Sequence, residues 1–256
     1  MSARVFCFDA SSHLHADWHA TPAGNVPAAY QVFVNRVQAV RQKYRPYETI
    51  VCFDSHGPTF RHEIDPQYKQ YRSAQDPDLA AQIQDARKHL ERLGVICLSE
   101  DGFEADDLIA TAAKRALLKG LKFVAVSKDK DLRQIIVKGR ACVMHKTSML
   151  AGEVYGQVLN WEGCIREYGV RPDQWIDFQC LVGDSSDGIT GVRGIGKKIA
   201  ARLLSEFGSV PGLFQNIWGA ELTPRLRDAV IKFRGRYPVV RQLVALRTDL
   251  PLPKLF

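Results

Sequence analysis

Arg4-Val5-Phe6-Cys7-Phe8 is a short continuous apolar run that closes on Asp9. Such a run, without the alternation of a half-exposed strand, is the pattern of a strand buried on both faces. Thr49-Ile50-Val51-Cys52-Phe53 repeats the pattern and closes on Asp54. Between the two, Tyr30, Phe33, Val34, Val37 and Val40 make a helical stripe, so the segment reads strand, helix, strand. Gly94-Val95-Ile96-Cys97-Leu98 is a third strand and leads into Gly102-Phe103-Glu104-Ala105-Asp106-Asp107. Lys122-Phe123-Val124-Ala125-Val126 is a fourth and runs into Ser127-Lys128-Asp129-Lys130-Asp131. Buried strands alternating with helices predict an α/β domain around a mainly parallel sheet. In open sheets of this class the chemistry collects beyond the carboxyl ends of the strands, where all these acids fall.

A single acid at a strand end or helix start is explained by turn and cap chemistry. Glu104, Asp106 and Asp107 are harder to explain that way, because apolar residues at helical spacing begin at Leu108 and all three carboxylates crowd its first turn. Like charges at that distance raise one another's pKa and repel, and a divalent cation with oxygen ligands is the natural remedy. With Asp9, Asp54, Asp129 and Asp131 arriving at the same rim, shared metal binding is the better account. Asp184 and Asp187, in Gly183-Asp184-Ser185-Ser186-Asp187-Gly188, read either as turn residues or as a further group of acids for that site.

The chain has 256 residues, enough for one large domain or two modest ones, and its 46% hydrophobic and 25% charged composition is that of a soluble globular protein. A net charge of +7 points to a polyanionic partner, the more so because the acids are clustered and leave the remaining surface more basic. The six cysteines form no CxxC pair and sit mostly in apolar runs, so buried thiols in a reducing compartment are expected. Four of them, Cys7, Cys52, Cys97 and Cys142, are spaced by 45 residues, but their flanks do not repeat. No signal-peptide pattern and no bilayer-spanning apolar run is present, and a cytosolic, nucleoid-associated protein is expected. His13, His15 and His19 have loose metal-ligand spacing, against which the oxygen-rich character of the neighbouring acids argues.

From Ser55 to Asp78 the alternation is interrupted by Pro58, Pro66 and Pro77 and filled with Arg61, His62, Tyr68, Lys69, Tyr71 and Arg72. This segment is either a solvated loop or a cover whose cations meet phosphate and whose rings stack on unpaired bases. A helix follows from about Leu79 to Leu93 and a further strand over Gly139 to His145, whereas Lys146 to Asn160 shows no clear periodicity. From Trp161 the chain turns mostly helical, with a soft boundary near residue 172. Gly191-Val192-Arg193-Gly194-Ile195-Gly196-Lys197-Lys198 nearly matches a nucleotide-binding P-loop, but Lys198 stands where a magnesium-binding hydroxyl is required and no strand feeds it. Read as a hairpin between two helices, it is a backbone-amide nest suited to phosphate, extended by Lys197, Lys198 and Arg202.

Together these stretches resemble the structure-specific 5′ nuclease family, most closely the bacterial and phage 5′-3′ exonucleases and the N-terminal exonuclease domain of bacterial DNA polymerase I. The resemblance rests on Phe8-Asp9-Ala10-Ser11-Ser12, Cys52-Phe53-Asp54, Phe60-Arg61-His62-Glu63, Tyr68-Lys69 with Arg72, Phe103 to Asp107, Lys128 to Asp131, Gly183 to Asp187, Gly191 to Lys197 and Thr248-Asp249-Leu250-Pro251. Departures are His13 and His15 where the family often has tyrosines, Gly188-Ile189-Thr190-Gly191 in place of an Asn- and Pro-containing turn, and the segment from Thr147 to Leu159.

The resemblance implies a PIN-like or resolvase-like α/β nuclease core over residues 1–171, with a helical arch or loop at about 55–95. It implies a helical DNA-binding subdomain over 172–256, with a helix-three-turn-helix motif at about 180–207. It assigns one divalent ion, Mg2+ or Mn2+, to Asp9, Asp54, Glu104 and Asp106 and a second to Asp129, Asp131, Asp184 and Asp187, with Asp107 in support. Lys69 and Arg72 match the basic pair that meets the scissile phosphate, and with Asp106 they are the expected catalytic residues. Arg61, Tyr68, Arg193, Gly194, Gly196, Lys197, Lys198 and Arg202 are the expected DNA contacts, with K+ as a further ion at the hairpin. Expected substrates are DNA 5′ flaps, nicks and free 5′ ends, and RNA primers. The chain stops where a polymerase domain would begin, and a monomeric, stand-alone nuclease is expected. The other readings are a PIN-like ribonuclease and a junction-binding module that does not cut.

Overall fold

The computed structural model describes residues 3–20, 28–71, 75–150, 153–253 and 255–256. Its elements in chain order are β1 (Arg4–Asp9), α1 (Ala10–Ala20), α2 (Ala28–Tyr44), β2 (Glu48–Cys52), α3 (Phe60–Ile64), α4 (Pro77–Arg92), β3 (Ile96–Leu98), α5 (Ala105–Leu118), β4 (Lys122–Val126), β5 (Ala141–Leu150) and β6 (Glu153–Leu159). There follow α6 (Trp161–Tyr168), α7 (Trp175–Val182), β7 (Gly183–Asp184), β8 (Ile189–Thr190), α8 (Lys197–Phe207), α9 (Val210–Gln215), α10 (Pro224–Phe233) and α11 (Tyr237–Val244).

Two compact units divide the chain: 1–57, 73–160 and 246–256 in the first, 58–72 and 161–245 in the second. The division differs from a single cut at 171/172 because three short segments, 58–72, 161–171 and 246–256, change sides.

In the first unit the six-stranded sheet has the order β3-β2-β1-β4-β5-β6. Strands β3, β2, β1, β4 and β5 are mutually parallel, and β6 returns antiparallel to β5. The expected strands are all present. Their burial follows the apolar runs: Val5 to Asp9 and Phe123 to Val126 are buried residue by residue. Phe6, Phe8, Phe33, Val37, Leu90 and Val124 belong to one core cluster that joins the sheet to α2 and α4. The β5–β6 hairpin occupies the stretch without clear periodicity. Strand β6 alternates poorly, with only Val154 and Leu159 buried, so neither a period of two nor of 3.6 shows in the sequence. His13 is buried in α1, its Nε2 3.2 Å from the Val126 carbonyl and its Nδ1 3.2 Å from a guanidinium nitrogen of Arg36. Burial, then the Arg36 charge, holds its pKa down to about 3, so it is a neutral core histidine.

The second unit is helical apart from the β7–β8 hairpin. Its core cluster includes Trp175, Phe178, Leu181, Leu203, Leu204 and Leu243. The short helix α3 belongs here, and it corrects the reading of Arg61 as a DNA contact. Arg61 is 2% exposed, and its Nε donates to the Leu243 carbonyl at 2.9 Å. Carbonyls at a helix end lack intrahelical partners, and a buried guanidinium satisfies them at the end of α11. Among the described residues no helix is long and apolar enough to cross a membrane.

Candidate active site

Strands β2 and β3 lie on one side of β1 and β4 lies on the other, so the chain reverses direction across the sheet between β1 and β4. This topological switch point is where open α/β sheets hold ligands. Asp9 ends β1, Asp54 follows β2, Asp129 and Asp131 follow β4, and Glu104 and Asp106 open α5 after β3.

Three of these carboxylates are aimed by backbone or hydroxyl donors. Asp9, 4% exposed, accepts from the Ser12 amide at 2.9 Å through one oxygen and from the Ser127 hydroxyl at 2.6 Å through the other. Ser127 Oγ also accepts the Asp129 amide at 2.9 Å, so one buried hydroxyl ties the end of β1 to the turn after β4. Asp54 accepts the Ala105 amide at 2.8 Å, which joins the end of β2 to the first turn of α5. Asp129 accepts the Asp131 amide at 2.8 Å in an Asx-type turn. In the sequence Ser127 is marked only by being a hydroxyl immediately beyond a buried strand and two residues before an acid.

The electrostatics show that these groups crowd one another. Asp9 is pushed up to about 7, chiefly by burial and then by the Asp54 charge, against the lowering effect of its two hydrogen bonds. Half-buried Asp106 is raised well above the carboxylate range by burial and then by Asp129, Asp9, Asp131 and Asp54. Buried acids that take up protons because desolvation and then neighbouring negative charge disfavour their ionised form fit a hard divalent cation, which prefers oxygen donors. Asp9, Asp54, Glu104, Asp106, Asp129 and Asp131 are thus brought to one rim. Asp107 stands apart: it is fully buried, and its two oxygens accept the amides of Glu104 at 3.3 Å and Arg247 at 2.9 Å.

In the second unit Asp184 and Asp187 are 5% and 6% exposed. Asp184 accepts the Ser186 amide at 3.1 Å and its hydroxyl at 2.6 Å. Asp187 accepts the Tyr68 hydroxyl at 3.2 Å and lies 3.8 Å from Lys69 Nζ, and its carbonyl takes the Lys69 amide at 3.1 Å. Lys69 has a φ of 54°, a conformation uncommon outside glycine, and its ammonium sits over the Tyr68 ring. Tyr68 is 4% exposed, which corrects its expected role as a base-stacking platform: its ring packs against His62 and Lys69, and its hydroxyl is spent on orienting Asp187. Arg72 lies outside the described residues.

The glycine hairpin is built by Val192 and Ile195, both 4% exposed, which anchor it to the helical core and leave Arg193, Gly194, Gly196, Lys197 and Lys198 exposed. Ile195 donates to the Val192 carbonyl at 3.0 Å, Gly194 takes a φ of 89°, and Gly196 caps α8. The exposed amides and the two lysines at the start of α8 form an anion-accepting end. Arg202 is exposed but neutralised within its own unit, 3.7 Å from Glu206 and 3.6 Å from Glu221.

Comparison with known proteins bears on both halves of the chain. Residues 4–168 match the family described as 5′-3′ exonuclease, N-terminal resolvase-like domain, and residues 170–255 match 5′-3′ exonuclease, C-terminal SAM fold. The thermostable DNA polymerase I of Thermus thermophilus is 36% identical over 203 residues, covering 79% of this chain and 23% of that protein. The chain therefore spans about a quarter of the length of such relatives. Among solved structures, a bacteriophage T5 5′-exonuclease with bound zinc superposes with a TM-score of 0.76 at 20% identity, over 96% of this chain and 90% of that one. A T5 flap endonuclease in a complex with DNA and metal ions superposes with a TM-score of 0.77 at 20% identity, over 96% and 90%.

Proposed function

The chain belongs to the 5′-3′ exonuclease family, and from that premise we propose that it is a metal-dependent, structure-specific 5′ nuclease hydrolysing DNA at flaps, nicks or free 5′ ends. The observation that carries this reading is the convergence of Asp9, Asp54, Asp106, Asp129 and Asp131 at the switch-point rim, where burial, and then the charges of neighbouring carboxylates, push Asp9 and Asp106 up the pH scale. Acids gathered where a polyanion is to bind serve a recognition module poorly and a metal site well.

We propose Asp9, Asp54, Glu104 and Asp106 as ligands of one divalent ion and Asp129, Asp131, Asp184 and Asp187 as ligands of another, with Mg2+ or Mn2+ as the ions. Such ions, when bound, supply Lewis acidity toward the phosphodiester and toward water at neutral pH. The chain's own part is orientation. Ser127 and the Ser12 amide hold both oxygens of Asp9, the Ala105 amide holds Asp54, and Tyr68 with Lys69 holds Asp187. Lys69 and Arg72 would add positive charge where the transition state gathers negative charge, a contribution worth roughly 3 kcal/mol where single donors have been removed. The exposed Arg193 to Lys198 hairpin would hold the duplex by its phosphates, K+ on its carbonyls being part of the same proposal. RNA primers as substrates, action as a monomer and a cytoplasmic location belong to the reading as well.

Cleavage of a 5′-flap duplex, labelled 3′ of the flap, tests it. Magnesium-dependent cuts near the junction that vanish with chelator are expected, and Asp106→Ala is expected to lower the rate at least about 1,000-fold. Tight binding with no cleavage in either condition would overturn the nuclease reading in favour of a recognition module.

A further inference from the structure

Helix α5 carries Glu104 at its cap and Asp106 in its first turn, and a different face of the same helix carries Asp107, Thr111 and Arg115 at four-residue spacing, one above another. Within the first unit all three bond the backbone of the chain's C-terminal segment. Asp107 accepts the Arg247 amide at 2.9 Å, and Thr111 donates to the Arg247 carbonyl at 3.3 Å while accepting the Leu250 amide at 3.4 Å. Arg115 spreads its guanidinium over the carbonyls of Leu250, Leu252 and Pro253 at 2.9, 2.9 and 3.1 Å. Leu250, Leu252 and Leu255 are buried, so the segment is seated and not merely adjacent. Apart from a Leu252 amide bond to the Leu250 carbonyl at 2.8 Å, the backbone groups of this segment named here are satisfied by the three polar side chains along two turns of helix.

The other oxygen of Asp107 accepts the amide of Glu104, the residue that begins the acidic turn. A fully buried carboxylate with its two oxygens given to two backbone amides is a fixed point. We propose that Asp107 is a positioning residue and not a metal ligand, and that the 247–253 segment, latched by Asp107, Thr111 and Arg115, sets the first turn of α5 so that Glu104 and Asp106 meet the metal in register. The inference rests on the metal-site reading above. It makes the last residues of the chain part of a site to which they contribute no ligand.

The test uses Mn2+ alone as probe, on the full chain, with hydrogen exchange of single amides as a second readout. Arg115 lies eight residues from Asp107, about 12 Å along the helix axis. Arg115→Met therefore leaves every carboxylate in place. It is expected to weaken Mn2+ binding roughly 10-fold, the scale on which groups that support ligands act, and to speed exchange at the Arg247 and Glu104 amides while Phe6 and Val124 stay protected. Thr111→Val, which removes one hydroxyl, carries the same test if Arg115→Met is too unstable to purify. Asp107→Asn is expected to lose cleavage at low Mn2+ and recover it at high Mn2+, whereas Asp106→Asn stays inactive throughout. Unchanged Mn2+ affinity in the Arg115 and Thr111 variants would overturn the proposal, as would an Asp107→Asn protein as unresponsive to Mn2+ as Asp106→Asn. Binding and exchange are read without substrate, so a wild-type chain that bound Mn2+ but cut nothing would overturn the nuclease reading alone.

Discussion

Asp9 sits in a wholly buried strand end with other carboxylates around it, and its protonation is coupled to folding. Its pKa is raised from 3.8 to about 7, so between those values the folded metal-free protein binds a proton that the unfolded chain has already released. Stability then falls as pH rises through that window, by an amount of order a few kcal/mol. Urea midpoints measured with chelator should be higher at pH 5 than at pH 7.5, and Asp9→Asn should flatten the difference. An unaltered slope in the variant would show that the carboxyl is ionised throughout. Arg61 illustrates the opposite kind of residue, a cation whose work is done inside. Arg61→Leu leaves the carbonyls of Leu243 and, at 3.4 Å, Ala245 without their donor and is expected to destabilise the protein by about 2–4 kcal/mol. Its folded fraction should bind DNA with unchanged affinity; a selective loss of DNA binding at full stability would restore the role the sequence suggested.

Among the elements, the turn between α7 and α8 depends on two glycines that lie back to back. Gly183 has a φ of 79°, and a Cβ there would stand 2.4 Å from the Gly191 amide nitrogen; one on Gly191 would stand 2.4 Å from the Gly183 nitrogen. Neither atom belongs to a movable side chain, so the backbone itself would have to shift. The β7–β8 hairpin contains Asp184 and is followed by the exposed glycine hairpin. Gly183→Ala is expected to lower stability by at least about 2 kcal/mol, from the left-handed conformation and the clash together, and to weaken duplex binding in proportion. A variant that matched wild type in melting temperature would show that this crossing is looser than its geometry implies. The α5 latch is the corresponding device in the α/β unit, with side chains doing there what glycine contacts do here.

For the whole molecule, binding of divalent ions to a site of mutually repelling acids is linked to folding. At a metal concentration 100 times its Kd the gain is about 2.7 kcal/mol, so the melting temperature should rise by several degrees in Mn2+ over chelator. The rise should shrink below pH 6, where Asp9 holds a proton that the metal must displace, and Asp106, shifted in the same direction, adds to the loss. An equal rise at pH 5 would contradict the placement of those two groups in the site. The net charge of +7 also predicts that DNA affinity falls steeply with salt while Mn2+ affinity falls much less.

The strands, their order of appearance and the acids at their ends were legible in the chain because each depends on local pattern: an apolar run sets a buried strand, and a residue one step beyond it must lie on the rim. The helical half and its glycine hairpin were legible for the same reason. What only the tertiary structure decided is which polar groups meet across long separations. Arg61 finds its carbonyl 182 residues away, Asp107 its amide 140 away, and Ser127 its carboxylate 118 away. A basic residue in a proline-broken segment looks solvated until a helix end is seen to lack donors, and a third acid in a helix's first turn looks like a ligand until backbone amides claim it. Periodicity is a property of neighbours along the chain, whereas the need to satisfy a buried polar group is created by whatever packs against it.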